Sequence, residues 1–384
     1  MRLALIRQRY TPFGGAERFI ERAIAALERK GASVTLITRA WPEEGSRPVL
    51  IVDPPFVGRL WRDAAFSHGV RALLGREQFD LVQSHERIPG CDLYRAGDGV
   101  HRQWLDHRLK AAPLLERIGI RLNPYHWYVC AAERLMFEHP ALRAVICNSK
   151  MVAAEIRTRF SIAPEKLHVI YNGVDLMHFH PARRTEMREA ARSRFGFGVA
   201  DLVFCFVGSG YARKGLAAAI DALAATGRRD LRLLVVGNDR SATRFASQAA
   251  RAGLGDRVTF AGAQKDIRIV YAASDCFILP TRYDPFPNAA LEAMASGLAP
   301  IVSSQCGAAE IVESGKNGWV CEADAVRPLA ALMLDAADAE LGKMGASARA
   351  TAEGFGLDRM AGRMFELYEE LLDRQQAVGT GEAG

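Results

Sequence analysis

The stretch CFILPTRYDPFPNAALEAMASGLAPIVSS, residues 276–304, contains a complete strand–loop–helix–strand unit. Its ends, at 276–281 and 299–304, are short continuous apolar runs, which are typical of strands buried on both faces of a parallel sheet. Between them, a proline-rich loop leads into a helical pattern that begins near Asn288. The unit therefore predicts a parallel sheet covered by helices, with a polar loop at the carboxyl end of one strand.

The same alternation of apolar strands and amphipathic helices continues along the chain in two blocks. In the first block, strand-like runs occur at 3–6, 34–38, 80–84, 144–149 and 166–175. In the second block, they occur at 201–208, 231–237 and 257–262, before the two quoted above. Two such blocks in a chain of 384 residues predict two doubly wound, Rossmann-like α/β domains that face each other.

The composition is that of an ordinary globular protein, with 49% hydrophobic and 24% charged residues. No apolar run approaches the roughly 20 residues that a membrane span needs, and the N-terminus lacks the apolar core of a secretory signal. The seven cysteines occur singly, without a CxxC pair, which favours neither a disulfide framework nor a zinc site. We therefore expect a reducing compartment, the cytosol.

Positive charge is concentrated in the first part of the chain. Residues 1–170 contain 26 Lys and Arg against 18 Asp and Glu, whereas the remainder contains 24 against 26. This excess favours an anionic partner, such as nucleic acid, anionic lipid or a phosphorylated substrate. A generally arginine-rich composition is the alternative explanation.

Two glycine-containing loops suit an anionic ligand. Gly14 and Gly15 lie between the first strand and the next helix, where backbone N–H groups and the positive helix end favour phosphate, although a plain tight turn fits as well. The stretch VGSGYARKG, 207–215, places Arg213 and Lys214 at a helix N-terminus, against the helix dipole. A bound polyanion explains two cations there, and ordinary surface charge is the alternative.

The quoted stretch adds two carboxylates eight residues apart. Asp284 is expected on the loop and Glu292 about one turn into the helix. Ligands of open α/β sheets bind at the carboxyl ends of strands, where carboxylates accept hydrogen bonds from vicinal sugar hydroxyls. The backbone N–H groups of Phe286, Asn288 and Ala289 are expected to face a phosphate or a sugar.

Four motifs taken together resemble the retaining glycosyltransferases of family 4. They are the acidic–x7–Glu pattern in YDPFPNAALEAMASGLAP, the turn VGSGYARKG, YNGVD at 171–175 and PFGGAERF near the N-terminus. The resemblance covers nearly the whole chain in order and implies the GT-B fold, with a cleft between two domains and a nucleotide-sugar as donor. RQRYTPFGGAERF (7–19) and ERIPGCDLYRAGD (86–98) look most like the lipopolysaccharide core α-1,3-glucosyltransferases that act on a heptose.

The resemblance implies a role for each matching residue of the donor site. Glu292 would hold the ribose hydroxyls and Asp284 the donor sugar hydroxyls, although many relatives have Glu at the position of Asp284. Arg213 and Lys214 would neutralise the diphosphate leaving group. The implied donor-binding residues are Gly14, Gly15, Gly208, Arg213, Lys214, Asp284, Phe286, Asn288, Ala289 and Glu292.

Acceptor and catalytic residues come from the same resemblance. Asp98, in AGDGVHRQW, would lie near the acceptor hydroxyl, and a turn aspartate between two glycines is the alternative. His85 and His101 are the other candidate acceptor contacts. The chain has no D-x-D motif, so we expect no metal and no cofactor, with same-face attack assisted by the leaving phosphate. The candidate catalytic residues are Asp98, Arg213, Lys214 and Asp284.

The implied domains follow from the fold. Residues 1–180 would form the acceptor-binding domain, completed by a last helix at 357–376, and residues 181–356 would form the donor-binding domain. The polar stretch 181–200 is typical of a linker with a short helix, and 377–384 of a disordered tail.

The segment 101–134 combines six Arg and Lys, three acids and interleaved aromatic residues. This pattern suits an amphipathic surface that lies on anionic lipid, and the resembling enzymes act at the inner membrane. An ordinary helix pair with its aromatics in the core is the alternative. We thus expect a cytoplasmic protein, peripheral on the inner membrane, that takes UDP-glucose as substrate and a lipopolysaccharide core or lipid-linked acceptor, and that binds no nucleic acid.

Other functions remain open from the sequence. A family 4 enzyme could use GDP-mannose or UDP-N-acetylglucosamine and act on capsule, exopolysaccharide or phospholipid. A nucleic-acid-binding module would use the basic first half, but the chain has no helix–turn–helix, finger or RNA-binding signature. A sugar-nucleotide epimerase shares this scaffold, but the Arg213–Lys214 turn suits it less well.

Overall fold

The chain divides into two compact units. Unit 1 comprises Met1–Tyr171 and Asp358–Gly384, and unit 2 comprises Asn172–Leu357. Each unit contains a parallel sheet, and most of the described connections between its strands contain a helix, so the predicted α/β class with two doubly wound domains is confirmed. The computed structural model describes residues 1–8, 24–41 and 48–381.

Within the described residues, the sheet of unit 1 has seven strands. They are β1 (Arg2–Ile6), β2 (Ser33–Thr38), β3 (Val49–Ile51), β4 (Leu81–Ser84), β5 (Leu93–Ala96), β6 (Ala144–Cys147) and β7 (Leu167–Val169). Their spatial order is β3-β2-β1-β4-β5-β6-β7, so the chain reverses its direction of winding between β1 and β4. Two strands of this sheet were not predicted from the sequence, because β3 has only three residues and β5 carries a buried arginine, Arg95. The three-residue strand Trp319–Cys321 of unit 2 was not predicted either.

Two helices of unit 1 begin at side-chain caps. Asn123 accepts the amide of Tyr125 at 3.0 Å, and Ser149 accepts the amide of Val152 at 3.2 Å, so each satisfies an N–H that the helix cannot pair internally. The helical residues are 24–29, Gly58–Leu74, His101–Ala111, Leu114–Leu122, Pro124–Phe137 and Lys150–Arg159, with a 3-10 turn at Pro164–Lys166.

The sheet of unit 2 has six parallel strands. They are β8 (Leu202–Val207), β9 (Leu231–Val236), β10 (Val258–Gly262), β11 (Cys276–Leu279), β12 (Ala299–Ser303) and β13 (Trp319–Cys321). Their order is β10-β9-β8-β11-β12-β13, which places the reversal of winding between β8 and β11. The helices are Pro181–Phe195, Leu216–Ala225, Ala242–Arg251, Arg268–Ala273, Asn288–Ala295, Val326–Asp338 and Leu341–Glu353, with a 3-10 segment at Gly307–Ile311.

The stretch 181–200 is not a linker. Pro181–Phe195 is a helix of 15 residues, ended by Gly196 in the left-handed region at φ 75°. Three of its arginines, Arg184, Arg188 and Arg192, bind the last carbonyls of the helix Arg268–Ala273 and the carboxylate of Asp275. Cations at a helix C-terminus complement its dipole, so these arginines anchor the helix within unit 2.

The boundary between the units lies before residue 180. Residues 172–180 belong to unit 2 because the amide of Val174 donates to the carbonyl of Phe355 at 2.8 Å, and the amide of Leu357 donates to Val174 at 3.1 Å. The amide of Asn172 also contacts this unit, at the carbonyl of Phe286.

The last helix, Leu357–Gly381, joins unit 1 from Asp358 onward. The buried hydroxyl of Tyr368 donates to Gln83 on β4 at 2.7 Å, and the Arg143 guanidinium contacts the carbonyl of Leu371. The helix continues past the predicted end at 376, and residues 382–384 of the predicted tail lie outside the described residues.

Gly215 allows unit 2 to pack tightly at the start of Leu216–Ala225. It has φ 82°, and a Cβ atom there would lie 2.0 Å from the carbonyl oxygen of Pro280. Gly215→Ala is therefore expected to destabilise the protein by about 3 kcal/mol or more, measured by urea unfolding. Gly253→Ala is the matched control, because Gly253 has φ 71° with open space around it and should cost only about 1–2 kcal/mol. Equal losses for the two variants would refute a steric role for Gly215.

Candidate functional site

The candidate residues of unit 2 lie at the carboxyl ends of β8 and β11, the two strands between which the winding reverses. Open α/β sheets bind ligands at this topological switch point, because the loops diverge there and leave room. The loop after β8 contains Arg213 and Lys214, and the loop after β11 contains Asp284. The topology therefore brings together two cations and a carboxylate that are 70 residues apart in sequence.

Arg213, Lys214 and Asp284 form an ion triad. The Nζ of Lys214 lies 2.7 Å from Oδ2 of Asp284, and an Nη of Arg213 lies 3.3 Å from the same oxygen. The same Nη of Arg213 also donates to the carbonyl of Tyr283 at 2.6 Å. The three predicted residues are thus in direct contact.

Burial and charge act in opposite directions on Asp284. Its side chain is only 9% exposed, and burial by itself would raise its pKa. The charges and hydrogen bonds of Lys214 and Arg213 outweigh burial and hold the pKa of Asp284 below its ordinary value. Asp284 is therefore a carboxylate at neutral pH, and its charge depends on the two cations.

Gly208 gives space to Lys214. It has φ 139°, and a Cβ atom there would lie 2.6 Å from Cε of Lys214, so the lysine stem crosses directly over the glycine. The N–H of Gly208 donates to the carbonyl of Val236 at 2.9 Å within the sheet. In this structure Gly208 therefore leaves space for the side chain of Lys214, and its N–H is hydrogen-bonded to the neighbouring strand.

Asp239, which the sequence patterns missed, holds the turn between β8 and the cations. Its Oδ2 accepts the backbone N–H groups of Gly210 and Tyr211, each at 2.8 Å. Burial would raise the pKa of Asp239, but these bonds and those from Ser241 lower it. The sequence signal was an acidic residue two positions after Gly237, the glycine that follows β9. Because Asp239 fixes this turn, it fixes the start of the segment that carries Arg213 and Lys214.

Glu292 lies in the second turn of the helix Asn288–Ala295, as expected, and is half-buried. The hydroxyl of Tyr271 donates to Oε2 of Glu292 at 2.9 Å and also contacts the carbonyl of Ala289 at 3.2 Å. Tyr271 is fully buried, so it restricts the rotamer of the carboxylate. This partner was not visible in the sequence, because Tyr271 belongs to a different helix.

The N-terminus of the same helix contains the other predicted donor contacts. Asn288 and Ala289 are the first two residues of this helix, where backbone N–H groups favour an anionic ligand. The side-chain amide of Asn172 bonds the carbonyl of Phe286 at 3.1 Å and Oδ1 of Asn288 at 2.7 Å, which braces the loop before the helix. The predicted contacts at Gly14 and Gly15 lie outside the described residues.

In unit 1, two predicted acceptor contacts lie at the carboxyl ends of neighbouring strands. His85 follows β4, and Asp98 is an exposed residue in the turn after β5. Arg7, after β1, lies 3.6 Å from Glu86 and 3.9 Å from Asp98. Burial, together with the charges of Arg95 and Arg7, lowers the pKa of His85 well below its ordinary value, so this imidazole is neutral at pH 7.

His101 is held in a structural network. The backbone N–H of His101 donates to Oε1 of the fully buried Glu133 at 2.7 Å. Glu133 also accepts a hydrogen bond from the guanidinium of Arg87 at 2.9 Å. The Nε2 atom of His101 lies 3.1 Å from Nδ1 of His126. Burial and the nearby charges lower the pKa of His101 to about 3, so it is a neutral hydrogen-bonding group.

The predicted amphipathic segment forms three helices with a largely exposed middle one. In Leu114–Leu122 only Ile120 is buried, whereas Arg117 and Arg121 are exposed. Trp127 is also exposed, whereas Tyr125 is half-buried with its hydroxyl on Asp63. None of the described helices has the length and apolar character of a bilayer-spanning segment. The exposed apolar patch comprises Leu114, Leu115, Ile118, Leu122 and Trp127.

Comparison with known proteins gives matches to both units. The model Glycosyltransferase Family 4 matches residues 13–178, and the model Glycosyl transferases group 1 matches residues 187–352. The lipopolysaccharide glucosyltransferase WaaG of Escherichia coli (strain K12) is 24% identical over 325 residues, which are 83% of this chain and 85% of that protein. A D-inositol 3-phosphate glycosyltransferase of Gordonia bronchialis is 28% identical over 393 residues, covering 94% and 84%.

Solved structures show the same fold. A crystal structure of WaaG gives a TM-score of 0.80 at 23% identity and covers 95% of this chain and 99% of that one. Anabaena Alr3699/HepE in complex with UDP and glucose gives a TM-score of 0.74 at 22% identity, with 96% and 99% covered. The predicted GT-B fold is therefore confirmed.

Proposed function

As the sequence motifs predicted, this chain belongs to the family 4 glycosyltransferases, and we propose that it transfers glucose from UDP-glucose to a lipopolysaccharide core or another lipid-linked saccharide. In this proposal the anomeric configuration is retained, and neither a metal nor a cofactor takes part. The observation that carries the proposal is the ion triad of Arg213, Lys214 and Asp284 at the topological switch point of unit 2.

The proposed reaction follows from the placement of these charges. Negative charge develops on the diphosphate as its bond to the sugar C1 breaks, and preorganised cations stabilise this charge strongly. Lys214 and Arg213 supply two such cations. The acceptor oxygen then forms its bond to C1 on the face that the diphosphate leaves, and its proton passes to the leaving phosphate oxygen. Glu292 holds the ribose, and Asp284 lies beside the sugar.

Two relatives support the choice of donor. WaaG is named as a glucosyltransferase, and HepE was solved with UDP and glucose. The acceptor proposal rests on WaaG, whose name includes lipopolysaccharide, and on Asp98 and His85 at the carboxyl edge of unit 1. GDP-mannose, UDP-N-acetylglucosamine and other saccharide or phospholipid acceptors are the competing substrates.

Calorimetric titration tests the donor. UDP, GDP, UDP-glucose, UDP-N-acetylglucosamine and GDP-mannose are each titrated in buffer containing EDTA. We expect uridine-selective binding that is unchanged when Mg²⁺ replaces EDTA. Guanine selectivity would favour mannosyl transfer, binding only with Mg²⁺ would reject metal independence, and no nucleotide binding would reject the proposed function. The anomeric configuration of the product, read by proton NMR, tests retention.

We also propose that the enzyme lies peripherally on the cytoplasmic face of the inner membrane, where unit 1 contacts anionic lipid through the exposed apolar patch. Arg117 and Arg121 flank the patch on the same helix, and exposed apolar and basic side chains together favour an anionic bilayer surface. A second helix, Gly58–Leu74, adds a cation near this surface, because Arg59 lies 4.9 Å over the ring of Tyr125.

Leu115→Ser combined with Ile118→Ser is expected to weaken binding to vesicles of phosphatidylcholine and phosphatidylglycerol about tenfold or more, because two aliphatic side chains no longer enter the lipid. Vesicle flotation measures the bound fraction. Val199→Ser, which removes an exposed apolar side chain of unit 2, is the matched control and should bind like the wild type. Equal binding to pure phosphatidylcholine, or no loss in the double variant, would contradict the proposal.

A further inference from the structure

The two oxygens of Asp284 have different surroundings. Oδ2 receives both Lys214 at 2.7 Å and Arg213 at 3.3 Å, whereas Oδ1 takes no hydrogen bond from any described residue. The backbone fixes this arrangement, because the N–H of Asp284 donates to Gln305 at 3.2 Å and its carbonyl accepts Gly307 at 2.9 Å. The backbone N–H and carbonyl groups of Asp284 are therefore both hydrogen-bonded, and its carboxylate contacts the two cations.

The two cations are also fixed in position. The stem of Lys214 crosses Gly208, where a Cβ atom would lie 2.6 Å from Cε, and its side chain is only 11% exposed. Arg213 is fixed by the carbonyl of Tyr283. Three groups of fixed position therefore carry one negative and two positive charges, and the carboxylate neutralises part of the charge that an incoming anion would meet.

Buried charge makes this neutralisation important. Burial of a lysine ammonium group without a counter-ion would lower the stability of the folded protein. Removal of one partner of a buried ion pair likewise leaves the charge of the other partner uncompensated. With its counter-ion in place, Lys214 stays charged and positioned before any ligand arrives. The same counter-ion competes with a bound anion for the two cations.

We propose that Asp284 is an internal counter-ion that occupies the place of the donor diphosphate on Lys214 and Arg213 and yields part of both contacts when the nucleotide binds. This inference rests on the proposed function, which makes the two cations the diphosphate contacts. It assigns to Oδ2 a role separate from contact with the donor sugar. Its consequence is that Asp284 weakens the hold on the product nucleoside diphosphate and so favours its release.

UDP and GDP without a sugar are the probes, because a residue that only binds sugar hydroxyls does not alter their affinity. Asp284→Asn keeps the shape and removes the charge, so the nucleoside diphosphate that binds the wild type should bind this variant about tenfold more tightly. Asp284→Glu keeps the charge and should bind within about threefold of the wild type. Product release, followed by stopped-flow displacement, should slow in Asp284→Asn.

Asp275→Asn is the matched control. Asp275 is another carboxylate of unit 2 that pairs with arginines, with its side chain 15% exposed, but it precedes β11 at the opposite edge of the same sheet. Its variant should lose stability without any change in nucleotide affinity. A tighter complex in Asp284→Asn alone would support the counter-ion role, and unchanged or weaker binding would overturn it while the proposed function stands.

A second pair of variants tests the proposal if Asp284→Asn does not fold. Lys214→Met with Asp284→Asn removes both members of the pair, and it should bind nucleoside diphosphate more tightly than Lys214→Met alone, because Arg213 is then released from the carboxylate. Equal affinities would reject the inference. If neither UDP nor GDP binds the wild-type protein, the proposed function fails and the inference fails with it.

Discussion

Lys214→Met is expected to lower kcat for sugar transfer about 10²- to 10³-fold, because removal of one preorganised group that stabilises developing charge in the transition state typically lowers kcat by this factor. Methionine keeps the aliphatic stem that crosses Gly208 and removes only the ammonium group. The donor KM should change less than kcat, since Arg213 remains. Steady-state rates with UDP-glucose and acceptor measure both.

The controls for Lys214→Met separate charge from folding. Arg282→Met removes a neighbouring cation whose guanidinium is bound to Asp324 at 2.8 Å, and it should retain near-normal kcat. Asp284 stays buried in Lys214→Met, so thermal unfolding must be compared as well. The double variant Lys214→Met with Asp284→Asn should recover stability without recovering activity. A kcat within about threefold of wild type in Lys214→Met would contradict its role at the diphosphate.

Glu292→Gln is expected to weaken UDP binding about 10- to 100-fold, because the carboxylate makes charge-assisted hydrogen bonds that a neutral amide cannot match. The structure holds this carboxylate through Tyr271, so Tyr271→Phe should have a smaller effect in the same direction. Calorimetric titration gives both affinities without a sugar on the donor.

A dideoxy nucleotide identifies the group that Glu292 binds. UDP without its two ribose hydroxyls should bind the wild-type protein as weakly as UDP binds Glu292→Gln. The variant should not distinguish the two nucleotides. If Glu292→Gln still prefers UDP over the dideoxy form by as much as the wild type does, the assignment of Glu292 to the ribose is wrong.

The strands of both sheets were largely visible in the sequence because buried parallel strands are continuous apolar runs. The exceptions have local reasons. β5 contains Arg95, whose charge interrupts the run, although in the fold it lies buried beside the methionines of the last helix. Pro181–Phe195 was expected to be a linker because it is rich in arginine. Those arginines bind the C-terminal carbonyls of another helix, which no local pattern reveals.

Sequence by itself determined the fold class, the family and the types of residue at the candidate donor site, because periodicity, glycine placement and acidic–x7–Glu spacing are local properties of the chain. The tertiary structure decided which groups touch. It placed Lys214 and Arg213 on one oxygen of Asp284, turned Asp239 onto two amides and set Tyr271 against Glu292. These contacts join segments far apart in sequence, and only the strand order, with its reversal between β8 and β11, brings them together.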